Sequence, residues 1–107
     1  HLSTIIAQAM DLLRGIGAAD PAAVLRPLLT AALDNTLVYG DAALTGPVAR
    51  GDVDTVRAHL ANLPDPAIAN TYASLAAATA DRAEKTGRIN SQTAHAIREA
   101  VDGERVH

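Results

Sequence analysis

The sequence predicts an all-α fold, a compact domain of about five helices. Apolar residues recur at every third or fourth position along most of the chain, which is the period of one helix face. Alanine, the residue with the highest helix propensity, is abundant, and no segment alternates apolar and polar residues as a half-buried strand does. With no Phe, no Trp and two Tyr, the core must be aliphatic. A length of 107 residues indicates a single domain, 1–107.

The first predicted helix begins at Leu2 and ends near the glycines Gly15 and Gly17. Its apolar face is formed by six residues: Leu2, Ile5, Ile6, Ala9, Leu13 and Ile16. Because Leu2 has no capping residue before it, we expect these residues to be the C-terminal part of a longer chain. Asp20 and Pro21, a capping residue followed by a first-position proline, predict a short turn before Pro27, which restarts or kinks the chain.

The strongest helical period covers residues 28–44 and predicts the second long helix. Gly40 falls within its apolar face, which indicates a close helix crossing or a bend. Further along, Asp52 is predicted to cap a helix over residues 53–60. This helix is expected to meet the preceding one at an angle near Gly51.

Two more helices are predicted in the last third of the chain. Asp65, followed by proline, starts the first of them, and Gly87 suits the left-handed position that ends it. Its inward residues are predicted to be Ile68, Tyr72, Leu75, Ala76 and Thr79. Asn90 or Ser91 caps the final helix, which runs to about Val101. Because its apolar positions bury little, we expect this helix to fray or to need a partner surface.

Charge and composition argue against several classes of function. A net charge of −3 and a pI near 5.7 disfavour binding to nucleic acid or to an anionic membrane. The chain has no Cys, and its histidines, with His95 and His107 the weakest candidates, lack metal-ligand spacing, so we expect no disulfide and no metal. No Gly-x-Ser-x-Gly motif or phosphate-binding glycine loop occurs. Without a signal peptide or a membrane-spanning run, a cytoplasmic location is expected.

The stretch 43–52 is the segment most indicative of a site. Thr45 is a good capping residue, Gly46 permits close approach of a backbone, and Pro47 suits the first helical position. Together they predict a helix start with free amides, which attracts anions. Arg50, one turn further, is placed to clamp a carboxylate or phosphate. The alternative is a capped turn without a binding function, which residue chemistry alone favours.

Two helical residues have both a functional and a structural interpretation. His59 has a side chain suited to general acid–base catalysis, but its position near a helix end favours a structural role. Asn35 lies beside the apolar face of the second long helix, where a polar amide that borders the core would bond to backbone groups.

The segment LRPLLTAALDNTLVYGDAALTGPVARGDVDTVRAHL, residues 25–60, resembles the C-terminal helical domain of a family of Rossmann-type oxidoreductase-like proteins. That family is related to ketopantoate reductase and more distantly to 6-phosphogluconate dehydrogenase, and its helical part is catalogued as a domain of unknown function. The similarity extends from His1 to about Ala83. The residues that carry it are Asn35, Thr45, Gly46, Pro47, Arg50, Gly51, Asp52, His59 and Leu60.

The resemblance implies a fold of the 6-phosphogluconate dehydrogenase C-terminal-like type and a parent protein in which a dinucleotide-binding domain comes first. NAD(P) would bind to that domain, so we expect no cofactor and no catalysis in these 107 residues alone. The helical domain would form a homodimer and bind a small acidic substrate in the cleft between domains. The substrate-binding residues it implies are Asn35, Thr45, Gly46, Pro47 and Arg50. The catalytic lysine of ketopantoate reductase has no counterpart, because Lys85 is the only lysine.

A second hypothesis is that the chain is a non-catalytic helical interaction or dimerisation module. The stretch 43–52 would then only turn the chain, and the alanine-rich helix over residues 65–85 would pack on a partner. With so little aromatic core, we expect self-association through this helix or the N-terminal helix. The two hypotheses differ at Arg50: a guanidinium exposed beside free amides favours an anion site, and one bonded to neighbouring carboxylates favours a structural role.

Overall fold

The computed structural model describes residues 1–105 and the side chains of residues 1–103. Its helices are α1 (Leu2–Gly15), α2 (Pro21–Tyr39), α3 (Val53–Asn62), α4 (Pro66–Lys85) and α5 (Ser91–Arg105), with a 3-10 helix at Gly40–Ala43. Within the described residues there is no strand, so the predicted all-α class and its number of helices are confirmed. The chain divides into two compact units, a first unit of His1–Ala43 and a second unit from Leu44 onward.

In the first unit, α1 ends at a glycine as predicted. The amide of Ala18 donates to the carbonyl of Leu13 over 2.9 Å, and the amide of Gly17 donates to the carbonyl of Arg14 over 3.0 Å. This pair of bonds is a Schellman motif, in which one residue takes the left-handed conformation. Gly17 does so with a φ of +94°, which costs a glycine little.

The second helix, α2, begins at its predicted cap but is not interrupted by Pro27. Asp20 accepts a 3.2 Å hydrogen bond from the amide of Ala23, and Pro21 takes the first helical position. The predicted turn before Pro27 is wrong, because the helix continues through this residue to Tyr39. A proline removes one backbone hydrogen bond from a helix, because it has no N–H group. Here the capped first turn and the good helix formers that follow Pro27 keep the helix continuous.

Gly40 ends α2 instead of lying inside it. Its φ of +57° takes the chain out of the helix, and the 3-10 turn follows directly. The predicted bend at this glycine is therefore confirmed. The predicted close crossing of two helices at Gly40 is wrong. Among the described residues, no atom lies within 4 Å of the position that a Cβ on Gly40 would occupy.

The capping predictions for the second unit are confirmed. Asp52, Asp65 and Asn90 each accept a hydrogen bond from an amide two or three residues later, over 3.1, 2.8 and 2.8 Å. Gly87, with a φ of +78°, ends α4 in a second Schellman motif. Ile89 then folds back and is only 8% exposed.

The core of the second unit lies where α5 packs against α3 and α4. α4 contributes a row of alanines spaced three and four residues apart: Ala73, Ala76, Ala80 and Ala83. α5 contributes Ala94, Ile97 and Val101, each no more than 1% exposed. Because the spacing of two packed helices depends on the side chains at the contact, a row of alanines allows a close approach.

Two predictions about this core need correction. On the predicted inward face of α4, Ile68 and Ala76 are buried and Tyr72 packs against the core, but Leu75 is 44% exposed and Thr79 is only partly buried. The final helix, expected to bury little, supplies the centre of the core, where Ile97 is fully buried. In both cases the buried contact on α4 is made largely by alanines, which a pattern of large apolar residues does not single out.

A charged cluster also joins α5 to α4. The Nη2 atom of Arg98 lies 2.7 Å from Asp81 Oδ1 and 2.6 Å from Glu84 Oε1. The hydrogen bond from Arg98, more than any other contact, holds the pKa of Glu84 below its ordinary value. These three residues form a clasp on the surface of the alanine-rich contact.

Candidate functional site

The stretch predicted to start a helix is a single turn. One hydrogen bond of α-helical type, from the amide of Arg50 to the carbonyl of Gly46, spans 3.2 Å. Gly51, with a φ of +72°, then ends the turn, and its amide donates back to the carbonyl of Val48 over 3.0 Å. The predicted helix start over residues 45–47 is therefore wrong, because the terminating glycine follows too soon for a helix to form.

This turn is anchored in the second unit. Val48 and Ala49 are only 7% and 4% exposed. Gly51 lies so close to α5 that an added Cβ would come within 2.9 Å of Thr93 Cγ2. The turn thus has a structural role, which the sequence had favoured as the alternative to a binding site.

Arg50 is the exposed part of the turn. Among the side chains that the structure describes, those of residues 1–103, its guanidinium has no hydrogen-bond or ion-pair partner, and the amides of Val48 and Ala49 have no backbone partner in the described chain. The pKa of Asp52 is lowered mainly by hydrogen bonds from Thr55, one of them 2.6 Å long, and to a smaller extent by the charge of Arg50. Arg50 is therefore not bonded to a neighbouring carboxylate, which is the arrangement that favours an anion site.

Asn35 belongs to the first unit, where it lies on α2. The other four predicted substrate-binding residues lie in the second unit: Thr45, Gly46, Pro47 and Arg50. The side chain of Asn35 is exposed, so the interpretation that it borders a buried core is wrong. Its surroundings on α2 are apolar and equally exposed, as Leu28 and Val38 show with exposed fractions of 64% and 72%.

His59 connects α3 with α4. Its Nδ1 atom lies 2.9 Å from the hydroxyl oxygen of Tyr72, and the two rings meet edge to face with centroids 5.6 Å apart. Burial raises the pKa of the Tyr72 hydroxyl. These contacts support the structural interpretation of His59 that the sequence favoured.

The remaining histidines do not form a metal centre in the described part of the chain. His95 Nε2 lies 3.0 Å from Glu99 Oε1 on the surface of α5, and His107 lies outside the described residues. Among residues 1–105, no three His, Asp or Glu side chains come together as metal ligands would. In the same range, no helix combines the length and apolar character needed to cross a membrane.

An apolar groove in the first unit was not predicted from the sequence. Two adjoining hollows of about 270 and 370 Å³ lie along α1 and α2 and share Ile6, Leu29 and Thr30. The signal for this groove is the composition of α2, whose charged residues are only Arg26 and Asp34. A helix that is apolar nearly all round is normally buried on several sides.

Exposed apolar side chains extend over the whole first unit. Ten large ones are more than a third exposed: Leu2, Ile5, Ile16, Val24, Leu28, Leu29, Leu33, Leu37, Val38 and Tyr39. Elsewhere in the described chain, Leu75 alone joins this group. The first unit therefore has two elements of a binding surface, a groove and an uncovered outer face.

These features describe a helical domain in which one unit is packed and the other is open. The model of the family described as "Domain of unknown function (DUF2520)" matches residues 1–79, and the chain belongs to this family. The match confirms a helical domain of unknown function over nearly the range predicted, His1 to about Ala83, and the relation to ketopantoate reductase stays a prediction. No curated protein and no solved structure matches the chain significantly.

Proposed function

We propose that this chain is a helical association domain without catalytic activity of its own. In the parent protein it would form the dimer contact and the substrate side of an NAD(P)-dependent oxidoreductase that acts on a small carboxylic acid. The observation that carries the association role is the open first unit, where Pro21 is the one buried residue among the 43 of this unit.

Burial of this surface supplies the driving force for association. Covering a fully exposed Leu, Ile or Val side chain stabilises a protein by about 1.5–3 kcal/mol. Exposed apolar patches of this kind on soluble proteins mark interaction sites. Two partners fit the proposal: a second copy of the chain, and a dinucleotide-binding domain that precedes residue 1 in the parent protein and binds the nicotinamide cofactor.

The oxidoreductase role rests on the resemblance of residues 25–60 to the helical domain of oxidoreductase-like proteins. Among the implied substrate-binding residues, Arg50 has the strongest support, because its guanidinium is exposed and has no partner among the described side chains, those of residues 1–103. A guanidinium binds a carboxylate through two parallel charge-assisted hydrogen bonds. Thr45, Gly46 and Pro47 would shape the turn that presents it.

The association role can be tested by sedimentation velocity over a wide range of protein concentrations. We expect the wild-type chain to self-associate. Leu28→Asp and Leu33→Asp each place a charge on a different face of α2, and we expect at least one of these variants to associate more weakly. The matched control is Leu75→Asp, which places the same charge on an exposed leucine of α4. A wild-type chain that stays monomeric, or association that neither α2 variant changes, would contradict the proposal.

The anion site requires a test in the parent protein. If Arg50 binds the substrate carboxylate, Arg50→Ala removes a bond worth about 1.5–3 kcal/mol, which lowers kcat/KM roughly ten- to hundredfold. Arg57→Ala is the matched control, because Arg57 is an exposed arginine of α3 that lies 3.6 Å from Asp54. Equal kinetics for the two variants would remove Arg50 from the site.

A further inference from the structure

One exposed face of α2 has the spacing of a coiled-coil seam. Its residues follow one another at intervals of four, three, four and three: Val24, Leu28, Ala31, Asn35 and Val38. This is the spacing of the a and d positions of a heptad repeat. All five residues are exposed, and Val24, Leu28 and Val38 have exposed fractions of 47%, 64% and 72%. We call this face the α2 seam.

The α2 seam is separate from the groove along α1. The groove is lined on α2 by other residues, among them Leu25, Leu29 and Leu33, and none of the seam residues lines either hollow. The seam also contains no charged residue, since Arg26 lines the groove and Asp34 lies beside the seam. The seam is thus an apolar face of α2 that α1 leaves uncovered.

We propose that the α2 seam binds the α2 seam of a second copy of this chain, and that Asn35 fixes the register of the pair. The proposal rests on the association role proposed above and names its partner. Paired helices in a symmetric dimer present the same face to each other, so a seam must be complementary to itself. The α2 seam meets this requirement with apolar residues around a small residue, Ala31, where two helix backbones can approach closely.

Asn35 is the residue that favours a second copy over an unrelated apolar surface. A single asparagine at an a position of a coiled coil specifies register and oligomeric state, because its amide pairs with a polar group across the seam. Against a purely apolar partner, the same amide would be buried without hydrogen bonds, which is strongly unfavourable. A second copy of the seam, paired in parallel and in register, supplies the matching amide.

The area of the seam indicates a reversible dimer. Val24, Leu28 and Val38, with the adjacent Tyr39 at 65% exposed, offer roughly 200–400 Å² per copy, taking about 60–120 Å² for a fully exposed aliphatic side chain and about 150–250 Å² for tyrosine. The total for two copies falls below the roughly 1,200 Å² of a standard stable interface. We therefore expect dimerisation to depend on protein concentration.

The absence of cysteine from the sequence makes the seam testable by disulfide formation. Ala31→Cys is expected to yield a disulfide-linked dimer under mild oxidation, at protein concentrations where Ala78→Cys stays largely monomeric. Ala78 is the matched control because it is an exposed alanine of α4, outside the seam. Equal cross-linking of the two variants would overturn the proposal.

Substitution of Asn35 tests whether this residue is buried in the seam contact. Asn35→Asp buries a charge in the seam and should raise the dimer dissociation constant more than about tenfold. Asn35→Leu should retain or strengthen association, with circular dichroism confirming that each variant stays folded. If Leu33→Asp weakens association while the seam variants do not, the association role stands and the seam is excluded. If wild-type protein does not associate and Ala31→Cys does not cross-link, both proposals fail.

Discussion

The two units of this chain are both helical, but they differ in how much of their apolar surface is exposed to solvent. All fourteen buried apolar residues of the described core lie in the second unit, between Val48 and Val101. The first unit contains the longer apolar runs, yet α1 buries no residue and α2 buries only Pro21. Apolar content therefore does not decide which unit is packed. The second unit buries small and branched side chains where α5 meets α3 and α4, whereas the larger apolar side chains of the first unit remain exposed.

The largest effect is expected from a cavity in the closed unit. Ile97→Ala removes a fully buried side chain and should lower the free energy of unfolding by about 2–5 kcal/mol. The matched control is Leu37→Ala, since Leu37 is 76% exposed in the open unit, and we expect a much smaller change in its unfolding free energy. Chemical denaturation measures both. Equal losses for the two variants would mean that the open unit has a core of its own.

A smaller effect is expected at the turn that holds Arg50. Gly51→Ala combines a strained positive φ with a Cβ placed 2.9 Å from Thr93 Cγ2, and should cost about 1–3 kcal/mol. Gly46→Ala is the control, because Gly46 also has a positive φ, of +93°, but no described atom lies within 4 Å of its added Cβ. The difference between the two melting temperatures isolates the contact with α5. No difference would indicate that strain alone matters.

The clasp between α4 and α5 predicts a dependence on pH. Because its pKa is lowered in the folded protein, chiefly by Arg98, Glu84 stabilises the fold above its ordinary pKa of 4.5. This contribution is lost as the pH falls below that value toward the lowered pKa. We expect Arg98→Leu to flatten the fall in melting temperature over this range, whereas Arg57→Leu should not. An unchanged pH profile in Arg98→Leu would exclude the clasp as its cause.

The smallest effect on stability is expected at Arg50. An exposed residue without a bonded partner in the described chain usually contributes within about 0.5 kcal/mol, so Arg50→Ala should leave the melting temperature nearly unchanged. Calorimetry on the purified variant measures this. A loss of several degrees would instead assign Arg50 a structural role in the turn and would remove its support as an anion-binding residue.

The parts of the fold that depend on residues close together in the sequence could be predicted from it. Caps such as Asp52 and Asp65 act on amides two or three residues away, and Gly87 ends a helix through its own φ. The burial of Ile97 could not be predicted, because it depends on which face of α4 lies against α5. Alanines only weakly indicate which face of a helix is buried. The helical spacing of the row from Ala73 to Ala83 is recognised as the buried face of α4 only once the structure is known.

The candidate site, like the fold, could be predicted only in part from the sequence. The exposed position of Arg50 agrees with one of the two arrangements that the residue pattern left open. The helix start predicted before it failed because a terminating Gly51 counts for more than a favourable Thr45 and Pro47. The α1 and α2 groove was missed because a periodic pattern shows which face of a helix is apolar, but not whether a neighbour covers that face.

The contact between Gly51 and Thr93 has a consequence for how this domain can be recombined. The family match ends at Thr79, so the turn that carries Arg50 lies inside the shared segment while the helix that supports it lies outside. A chimaera that takes residues 1–79 from this chain and the remainder from a relative contains the turn but not the α5 helix that contacts it. Such exchanges should succeed where the incoming helix offers a side chain no larger than threonine opposite Gly51. We therefore expect the residue at position 93 to limit which incoming helix can support this turn.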